Sequence, residues 1–80
     1  LPQVLINVGG VDRNALGSNA RVSAELELLE SQLNESGRIL LRSSGTEPVI
    51  RVMVEAESQA VAQQVAEQLA QVITAELALD

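Results

Sequence analysis

Two short runs of alternating side chains, joined by a cluster of turn-forming residues, constrain the fold of this chain more than any other feature. Arg38–Ser43 and Val49–Glu55 alternate between two faces with the period of a β-strand, and the cluster Ser44–Pro48 separates them. The second run has one apolar, β-branched face, formed by Ile50, Val52 and Val54. Because small and turn-forming residues between two strands favour a chain reversal, the pattern predicts a β-hairpin with a long tip.

The segment before this hairpin has the periodicity of a helix. Four apolar residues follow one another at spacings of four, three and four, namely Val22, Leu26, Leu29 and Leu33. This spacing predicts an amphipathic helix, with Ser18 or Asn19 as its N-cap and Gly37 as its stop. We expect the nearby carboxylates to lie largely off the apolar face; these are Glu25, Glu27 and Glu30.

A second helical segment follows the hairpin. Ser58 is placed to cap it, and the periodic pattern continues to about Leu77. Its apolar stripe is formed by Val61, Val65, Leu69, Val72 and Ile73. Frequent alanine favours a helix here, and we expect Glu67 and Glu76 on its solvated face.

The N-terminal residues complete the predicted fold. Gln3–Val8 is apolar and β-branched and stops at Gly9-Gly10, which predicts a strand. The turn-rich residues 9–19 predict a loop in which Arg13 is a solvated charge. The order is β-α-β-β-α, an α+β fold with two helices packed on one face of a small, mainly antiparallel sheet. The other face stays open for a partner domain or for water.

The length and the first residues bear on domain organisation. Eighty residues form one domain at most, so we expect a single domain over residues 1–80. Leu1 leads directly into an apolar stretch, and we expect this domain to be excised from a longer chain.

The residue types that are absent exclude several kinds of chemistry. The chain has no Cys, His, Lys or aromatic residue, which removes disulfides, an imidazole base, a Schiff-base lysine and stacking platforms for bases. The net charge of −6 disfavours nucleic acid and anionic membranes as partners. No apolar run approaches the roughly 20 residues that span a bilayer. Hydroxyls, carboxylates and five arginines remain, a set suited to binding a ligand rather than to transforming it.

The predicted hairpin tip has the composition of an anion site. Arg42 and Arg51 flank it, and both guanidinium groups can face one side if the strands pair around the tip. Ser44 and Thr46 add hydroxyl donors, and Gly45 permits the positive φ with which consecutive backbone N–H groups turn inward as an anion-binding nest. Phosphate oxygens accept bidentate contacts from arginine, so the tip is a candidate phosphate or carboxylate site.

Two other interpretations of these residues stay open, and two are rejected. Ordinary turn residues with exposed arginines would also form a solvated turn, and the open sheet face would suit a purely structural interaction module. Ser44 is rejected as a nucleophile because no base is available to activate it. A metal site is rejected because the carboxylates near the hairpin share no common loop; these are Glu47, Glu55 and Glu57.

The segment from Arg42 to Glu55, RSSGTEPVIRVMVE, resembles the phosphate-binding loop of the phosphohexomutase family. That family's pattern is Arg, any residue, Ser, Gly or Asn, then Thr-Glu-Pro, with another Arg three positions later. Gly45 and the Arg-Val-Met-Val-Glu tail resemble the phosphoglucosamine mutase branch more than the phosphomannomutase and phosphoglucomutase branch, where Asn is usual. The flanking segments resemble the family's fourth domain, which implies a fold like that of the TATA-box-binding protein.

The resemblance implies a cytoplasmic enzyme that interconverts glucosamine 6-phosphate and glucosamine 1-phosphate through a phosphoserine in another domain. Mg²⁺ would be held by aspartates outside this chain, and this domain would bind no cofactor. Its partners would be the phosphosugar substrate and the other domains of the enzyme. The phosphate-binding residues implied by the motif are Arg42, Ser44, Gly45, Thr46 and Arg51. With no catalytic or metal-binding residue of its own, the isolated domain is expected to be inactive; a C-terminal domain of the phosphomannomutase/phosphoglucomutase branch is the alternative.

Overall fold

The structure, a computed structural model, describes residues 1–33 and 36–79 and has the predicted order of elements. The strands are β1 (Gln3–Gly9), β2 (Arg38–Ser43) and β3 (Val49–Glu55), and the helices are α1 (Ala20–Leu33) and α2 (Gln59–Leu77). A turn of 3-10 helix at Arg13–Ala15 lies inside the predicted loop. The prediction of a β-α-β-β-α order is therefore confirmed.

The three strands form one antiparallel sheet with β3 in the centre and β1 and β2 at its edges. One face is apolar and buried under both helices, through Val4, Val8, Ile39, Ile50, Val52 and Val54. Leu29 of α1 and Leu69 and Ile73 of α2 are fully buried in the same core. Because side chains alternate along a strand, the other residues of each strand lie on the open face. The predicted α+β architecture, with two helices on one face, is confirmed.

Helix α1 begins as predicted but buries one carboxylate that the apolar pattern had placed off the core. Asn19 is the cap, since its Oδ1 accepts a hydrogen bond from the backbone N–H of Val22 at 2.9 Å. Glu25 is only 5% exposed, between Arg21 of its own helix and Gln68 of α2. The hydrogen bond from Arg21, and then that from Gln68, hold the pKa of the Glu25 carboxyl below its ordinary value. The prediction for Glu25 is wrong because two donors satisfy a carboxylate at the helix–helix interface.

Helix α2 also begins at its predicted cap, and its buried stripe differs in part from the predicted one. Ser58 Oγ accepts a hydrogen bond from Val61 N–H at 3.2 Å. The buried residues are Ala62, Val65, Ala66, Leu69, Ile73 and Leu77. Val61 is 42% exposed instead. Small alanines on the inner face let the helix backbone approach the sheet. A ranking of residues by hydrophobicity does not predict that alanine rather than valine is buried here.

Two positions require glycine for conformational or steric reasons that the sequence pattern did not reveal. A Cβ at Gly37, which was predicted as a helix stop, would collide with the backbone carbonyl oxygen of Glu55. Glycine at this position therefore lets the chain pass close to the end of β3. Gly10 has a φ of 68°, in the left-handed region that favours glycine, and it turns the chain after β1.

Candidate functional site

The pairing of the strands brings the two predicted arginines together on the open face. Arg42 of β2 lies directly opposite Arg51 of β3, and Asn7 of β1 lies opposite Arg51 on its other side. Directly opposed residues of antiparallel strands have Cβ atoms about 4.5–5.5 Å apart and project to the same side. Asn7, Arg51 and Arg42 therefore form a row across all three strands, which we call the arginine row.

The charge of the arginine row is not balanced by carboxylates within the part of the chain that the structure describes. Neither Arg42 nor Arg51 forms a salt bridge with any residue of the ranges 1–33 and 36–79. Arg51 Nε donates instead to the neutral Asn7 Oδ1 at 3.4 Å. Glu47 of the neighbouring hairpin tip is exposed and pairs with neither arginine in those ranges. Two exposed guanidinium groups thus lie side by side, and their N–H donors are available to a ligand.

The hairpin tip, residues 44–48, lies next to the arginine row and is organised around the Ser44 hydroxyl. Ser44 Oγ accepts hydrogen bonds from the backbone N–H groups of Thr46 at 3.3 Å and Glu47 at 3.2 Å. The Ser44 N–H donates to the Val49 carbonyl at 2.9 Å, and the Val49 N–H donates to the Glu47 carbonyl at 2.8 Å. The sequence predicted that consecutive amides would turn inward for an anion, and in this structure two of them converge on a hydroxyl oxygen of the protein itself.

Gly45 does not adopt the conformation that the sequence suggested for it. Its φ is not positive, so the tip does not use the left-handed conformation that glycine permits. A Cβ built at Gly45 would meet no described atom within 4 Å, and Thr46 beside it is exposed. The expectation of positive φ is therefore wrong, and open space above the Gly45 backbone is what the structure shows.

Arg13 contacts this tip, although the sequence did not predict such a contact. It was expected to be a solvated loop charge, but Arg13 Nη1 donates to the Ser44 carbonyl oxygen. Ser43 Oγ donates in turn to the Arg13 carbonyl at 2.9 Å. Loop residues 9–19 gave no sequence signal for this contact, because it joins positions about thirty residues apart in the chain. Asn7 was missed for a similar reason, since only strand register reveals its place beside Arg51.

The arrangement offers binding groups and little for bond making or breaking. Among the described residues, the Ser44 hydroxyl has no basic side chain as a hydrogen-bond partner, and the groups that it contacts are the backbone N–H groups of Thr46 and Glu47. Within the same residues no three of His, Cys, Asp or Glu are grouped to hold a metal ion. Guanidinium, hydroxyl and amide donors near one exposed tip suit the oxygens of a phosphate or carboxylate.

A groove of about 500 Å³ lies away from this tip, between the free edge of β1 and α2. It includes Asn7 of the arginine row, but its walls are mainly apolar and contain no residue of the tip. An anion gains little from such a lining, so we place the candidate site at the tip.

Across residues 1–33 and 36–79, the helices are all too short or too polar to span a bilayer.

Comparison with known proteins gives consistent matches over nearly the whole chain. Residues 5–72 match the family model described as phosphoglucomutase/phosphomannomutase, C-terminal domain. The phosphoglucosamine mutase of Thermobifida fusca is 52% identical over 80 residues, which are 100% of this chain and 18% of that protein. The phosphoglucosamine mutase of Clavibacter michiganensis is 54% identical over 78 residues, 98% of this chain and 18% of that protein. The chain thus spans about a fifth of the length of these curated relatives.

Solved structures show the same fold. An N-acetylphosphoglucosamine mutase of Aspergillus fumigatus superposes with a TM-score of 0.85 and 28% identity, over 99% of this chain and 16% of that one. A structure of the same fungal enzyme in complex with GlcNAc-6P and magnesium superposes with a TM-score of 0.79 and 30% identity, over 91% of this chain and 15% of that one.

Proposed function

Because this chain belongs to the phosphoglucomutase/phosphomannomutase family and matches the C-terminal domain of that family, we propose that it binds the phosphate group of a phosphosugar through its hairpin tip. The binding residues are those that the motif implies, Arg42, Ser44, Gly45, Thr46 and Arg51. The observation that carries the proposal is the direct opposition of Arg42 and Arg51 beside the Ser44-centred tip.

The electrostatics of the arginine row support an anion there. Two unit charges about 4 Å apart repel by about 1 kcal/mol in water, a cost small enough for an exposed pair to be tolerated without a ligand. A phosphate between Arg42 and Arg51 turns this repulsion into two charge-assisted interactions, each about twice as strong as a neutral hydrogen bond. Asn7 Oδ1, which accepts from Arg51 Nε, leaves the terminal nitrogens of Arg51 for the anion.

The Ser44 hydroxyl is arranged to donate rather than to accept. A serine oxygen has two acceptor lone pairs and one O–H donor, and both acceptor positions here face backbone N–H groups, those of Thr46 and Glu47. The O–H group is then the part of the hydroxyl that remains available for a hydrogen bond, and a phosphate oxygen is a suitable acceptor for it. The two amides also polarise this O–H, which strengthens the bond that it makes.

The next part of the proposal concerns a longer enzyme, of which this chain would be one domain. We propose that the longer protein is a phosphoglucosamine mutase, in which a phosphoserine of another domain exchanges phosphoryl groups with the sugar. This domain would grip the phosphate that is not reacting, because binding energy at a remote group orients the reacting end. Magnesium, which is present in a related fungal complex, would lie in another domain, and this chain supplies no step that uses it.

The proposal also includes a preference for an amino sugar as the substrate. It is supported by curated relatives named phosphoglucosamine mutase at 52% and 54% identity. The contacts proposed for the arginine row and the tip are all to the phosphate, so the sugar itself would be selected elsewhere in the enzyme. A C-terminal domain of the phosphomannomutase or phosphoglucomutase branch would use the same phosphate contacts.

A non-catalytic interaction module is the second candidate function, and a specific observation favours it. Leu5 and Leu40 are 55% and 47% exposed on the open face, in one cross-strand row with Met53. An exposed apolar row suits a protein partner. This row adjoins the arginine row rather than replacing it, so the two candidates make separable predictions.

Amide chemical shifts of the chain during titration test the phosphate proposal. Glucosamine 6-phosphate and inorganic phosphate should both move the amides of residues 44–46, whereas glucosamine without phosphate should not. An Arg38→Ala chain, which changes an arginine of the same strand outside the site, should respond like the wild type. An interaction module that binds no phosphate predicts unmoved tip amides with all three ligands, and that result would reject the proposal.

A chimaera tests the enzymatic part. This chain would replace the matching 18% of the Thermobifida fusca phosphoglucosamine mutase, and conversion of glucosamine 6-phosphate to glucosamine 1-phosphate would be measured. We expect activity within about ten-fold of the parent, since the phosphate contacts would be retained while the domain interfaces would be imperfectly matched. An inactive chimaera that folds and whose tip still binds phosphate would reject the mutase assignment but not the phosphate site.

A further inference from the structure

A short segment before α1, Val11–Ala15, fastens the hairpin tip from one side. The Val11 N–H donates to the Pro48 carbonyl at 3.3 Å, on the far side of the tip from Ser43. Ser43 Oγ donates to the Arg13 carbonyl, and Arg13 Nη1 donates to the Ser44 carbonyl oxygen. Ser43 lies opposite the fully buried Ile50, so it belongs to the helix-covered side of the sheet. The segment therefore holds the tip from the side that the arginine row does not occupy.

The segment that carries Arg13 is itself anchored. Asp12 Oδ1 accepts from the Asn14 N–H at 3.0 Å, and the Asp12 N–H donates to the Leu77 carbonyl at 2.8 Å. Val11, immediately before it, is fully buried. Arg13 is therefore presented from a turn that is tied to the core and to the end of α2, rather than from a free loop.

The contact from Arg13 determines the orientation of one peptide group at the tip. All described peptide bonds are trans, and in a trans peptide the C=O of one residue and the N–H of the next point in opposite directions. Since the Ser44 carbonyl points toward the Arg13 guanidinium, the Gly45 N–H points away from it. That N–H has no hydrogen-bond partner among the residues that the structure describes, and the space above Gly45 is open.

We propose that Arg13 is a positioning residue that presents the Gly45 N–H to the bound phosphate by holding the Ser44 carbonyl in place. This inference rests on the proposed phosphate site and adds a residue outside the family motif. Arg13 does not touch the ligand; its charge-assisted hydrogen bond fixes the Ser44–Gly45 peptide before the anion arrives. A donor that is oriented in advance costs less to order on binding.

The test compares the wild-type chain with Arg13→Ala and Arg13→Gln variants during titration with inorganic phosphate and with glucosamine 6-phosphate. We expect Arg13→Ala to raise the Kd about ten-fold and to abolish the large shift of the Gly45 amide. Arg13→Gln keeps part of the stem and one neutral donor, so it should show an intermediate Kd and a partly restored Gly45 shift. Arg38→Ala, which removes an exposed arginine of β2 whose partner is Glu55 rather than the tip, is the matched control and should bind like the wild type.

The salt dependence of the Kd separates positioning from direct contact. Arg42→Ala should flatten the dependence because a charge that faces the anion is lost. Arg13→Ala should weaken binding while keeping most of the wild-type slope, since its charge is directed at a carbonyl. If Arg13→Ala does not fold, the Arg13→Gln chain decides. A wild-type Kd and Gly45 shift in the folded variant would overturn the role of Arg13 alone, whereas a wild-type chain without any tip response would overturn the phosphate site as well.

Discussion

The two ends of the open sheet face carry the same kind of residue in different electrostatic surroundings. At one end, Gln3, Glu55 and Arg38 form a cross-strand row, and at the other end Asn7, Arg51 and Arg42 form the arginine row. Arg38 Nε lies 3.4 Å from Glu55 Oε1, and Gln3 Nε2 donates to Glu55 Oε2 at 2.6 Å. In the arginine row, the central position holds a second cation instead of a carboxylate.

This difference separates an arginine that serves the fold from arginines available to a ligand. An exposed ion pair such as that of Arg38 and Glu55 contributes only about 0–1 kcal/mol to stability, but it balances the charge of Arg38 with a carboxylate. Arg42 and Arg51 have no carboxylate partner within residues 1–33 and 36–79, and the Ser44-centred tip lies beside them alone. Both an unbalanced charge and a set of convergent neutral donors are therefore found at only one end of the face.

Arg42→Ala should have the largest effect of the changes that test this comparison. In the chimaeric mutase, we expect it to lower kcat/KM about 100-fold, because it removes a charge-assisted contact that orients the substrate. Arg38→Ala, which changes another exposed arginine of the same strand, should change kcat/KM by less than about two-fold, as expected for a surface ion pair. Equal losses in both variants would show that the balanced row and the arginine row do not differ in function.

Ser44→Ala should have the next largest effect. It removes the hydroxyl donor and also the acceptor that organises the Thr46 and Glu47 amides, so we expect the Kd for glucosamine 6-phosphate to rise about ten-fold. Ser43→Ala is its neighbouring control, with a smaller loss, because Ser43 contacts the Arg13 carbonyl on the other side of the tip. A Kd for the Ser44 variant below that of the Ser43 variant would contradict this order.

Asn7→Ala should have a smaller effect, since it acts on the anion only through Arg51. Loss of the acceptor for Arg51 Nε frees the guanidinium to sample other rotamers, and we expect the Kd for inorganic phosphate to rise about three-fold. Gln3→Ala removes the equivalent β1 residue of the balanced row and should leave the Kd unchanged. A larger effect from Gln3 than from Asn7 would mean that strand β1 acts through general stability rather than through Arg51.

The same comparison shows which parts of this molecule were predictable from sequence. The hairpin and both helix caps have local signals, the alternation of β2 and β3 and the positions of Asn19 and Ser58, and the structure confirms them. The side on which Arg42 and Arg51 meet follows from their positions around the tip. These features depend on neighbouring residues, where period and turn chemistry are informative.

The features that sequence did not predict depend on contacts between distant segments. The burial of Glu25 requires Gln68 from the other helix, and the contact of Arg13 with Ser44 requires the packing of the β1–α1 connection against the tip. The inner face of α2 uses Ala62 where the pattern favoured Val61, because the distance between helix and sheet decides which residue fits. None of these has a periodic or motif signal of its own.

Glu55→Gln should have the smallest effect and tests whether unbalanced charge alone makes a site. The substitution leaves Arg38 without its carboxylate partner, so both ends of the open face would then carry unbalanced arginine. We expect no new phosphate-dependent shifts around Arg38, because that end has one cation and lacks a tip whose hydroxyl and amides converge. The measurement is the amide shift map of the variant with inorganic phosphate, compared with that of the wild type at the same salt concentration. Shifts around Arg38 as large as those of residues 44–46 would show that a guanidinium without a carboxylate partner is sufficient for phosphate binding, and that the donors of the tip are not required.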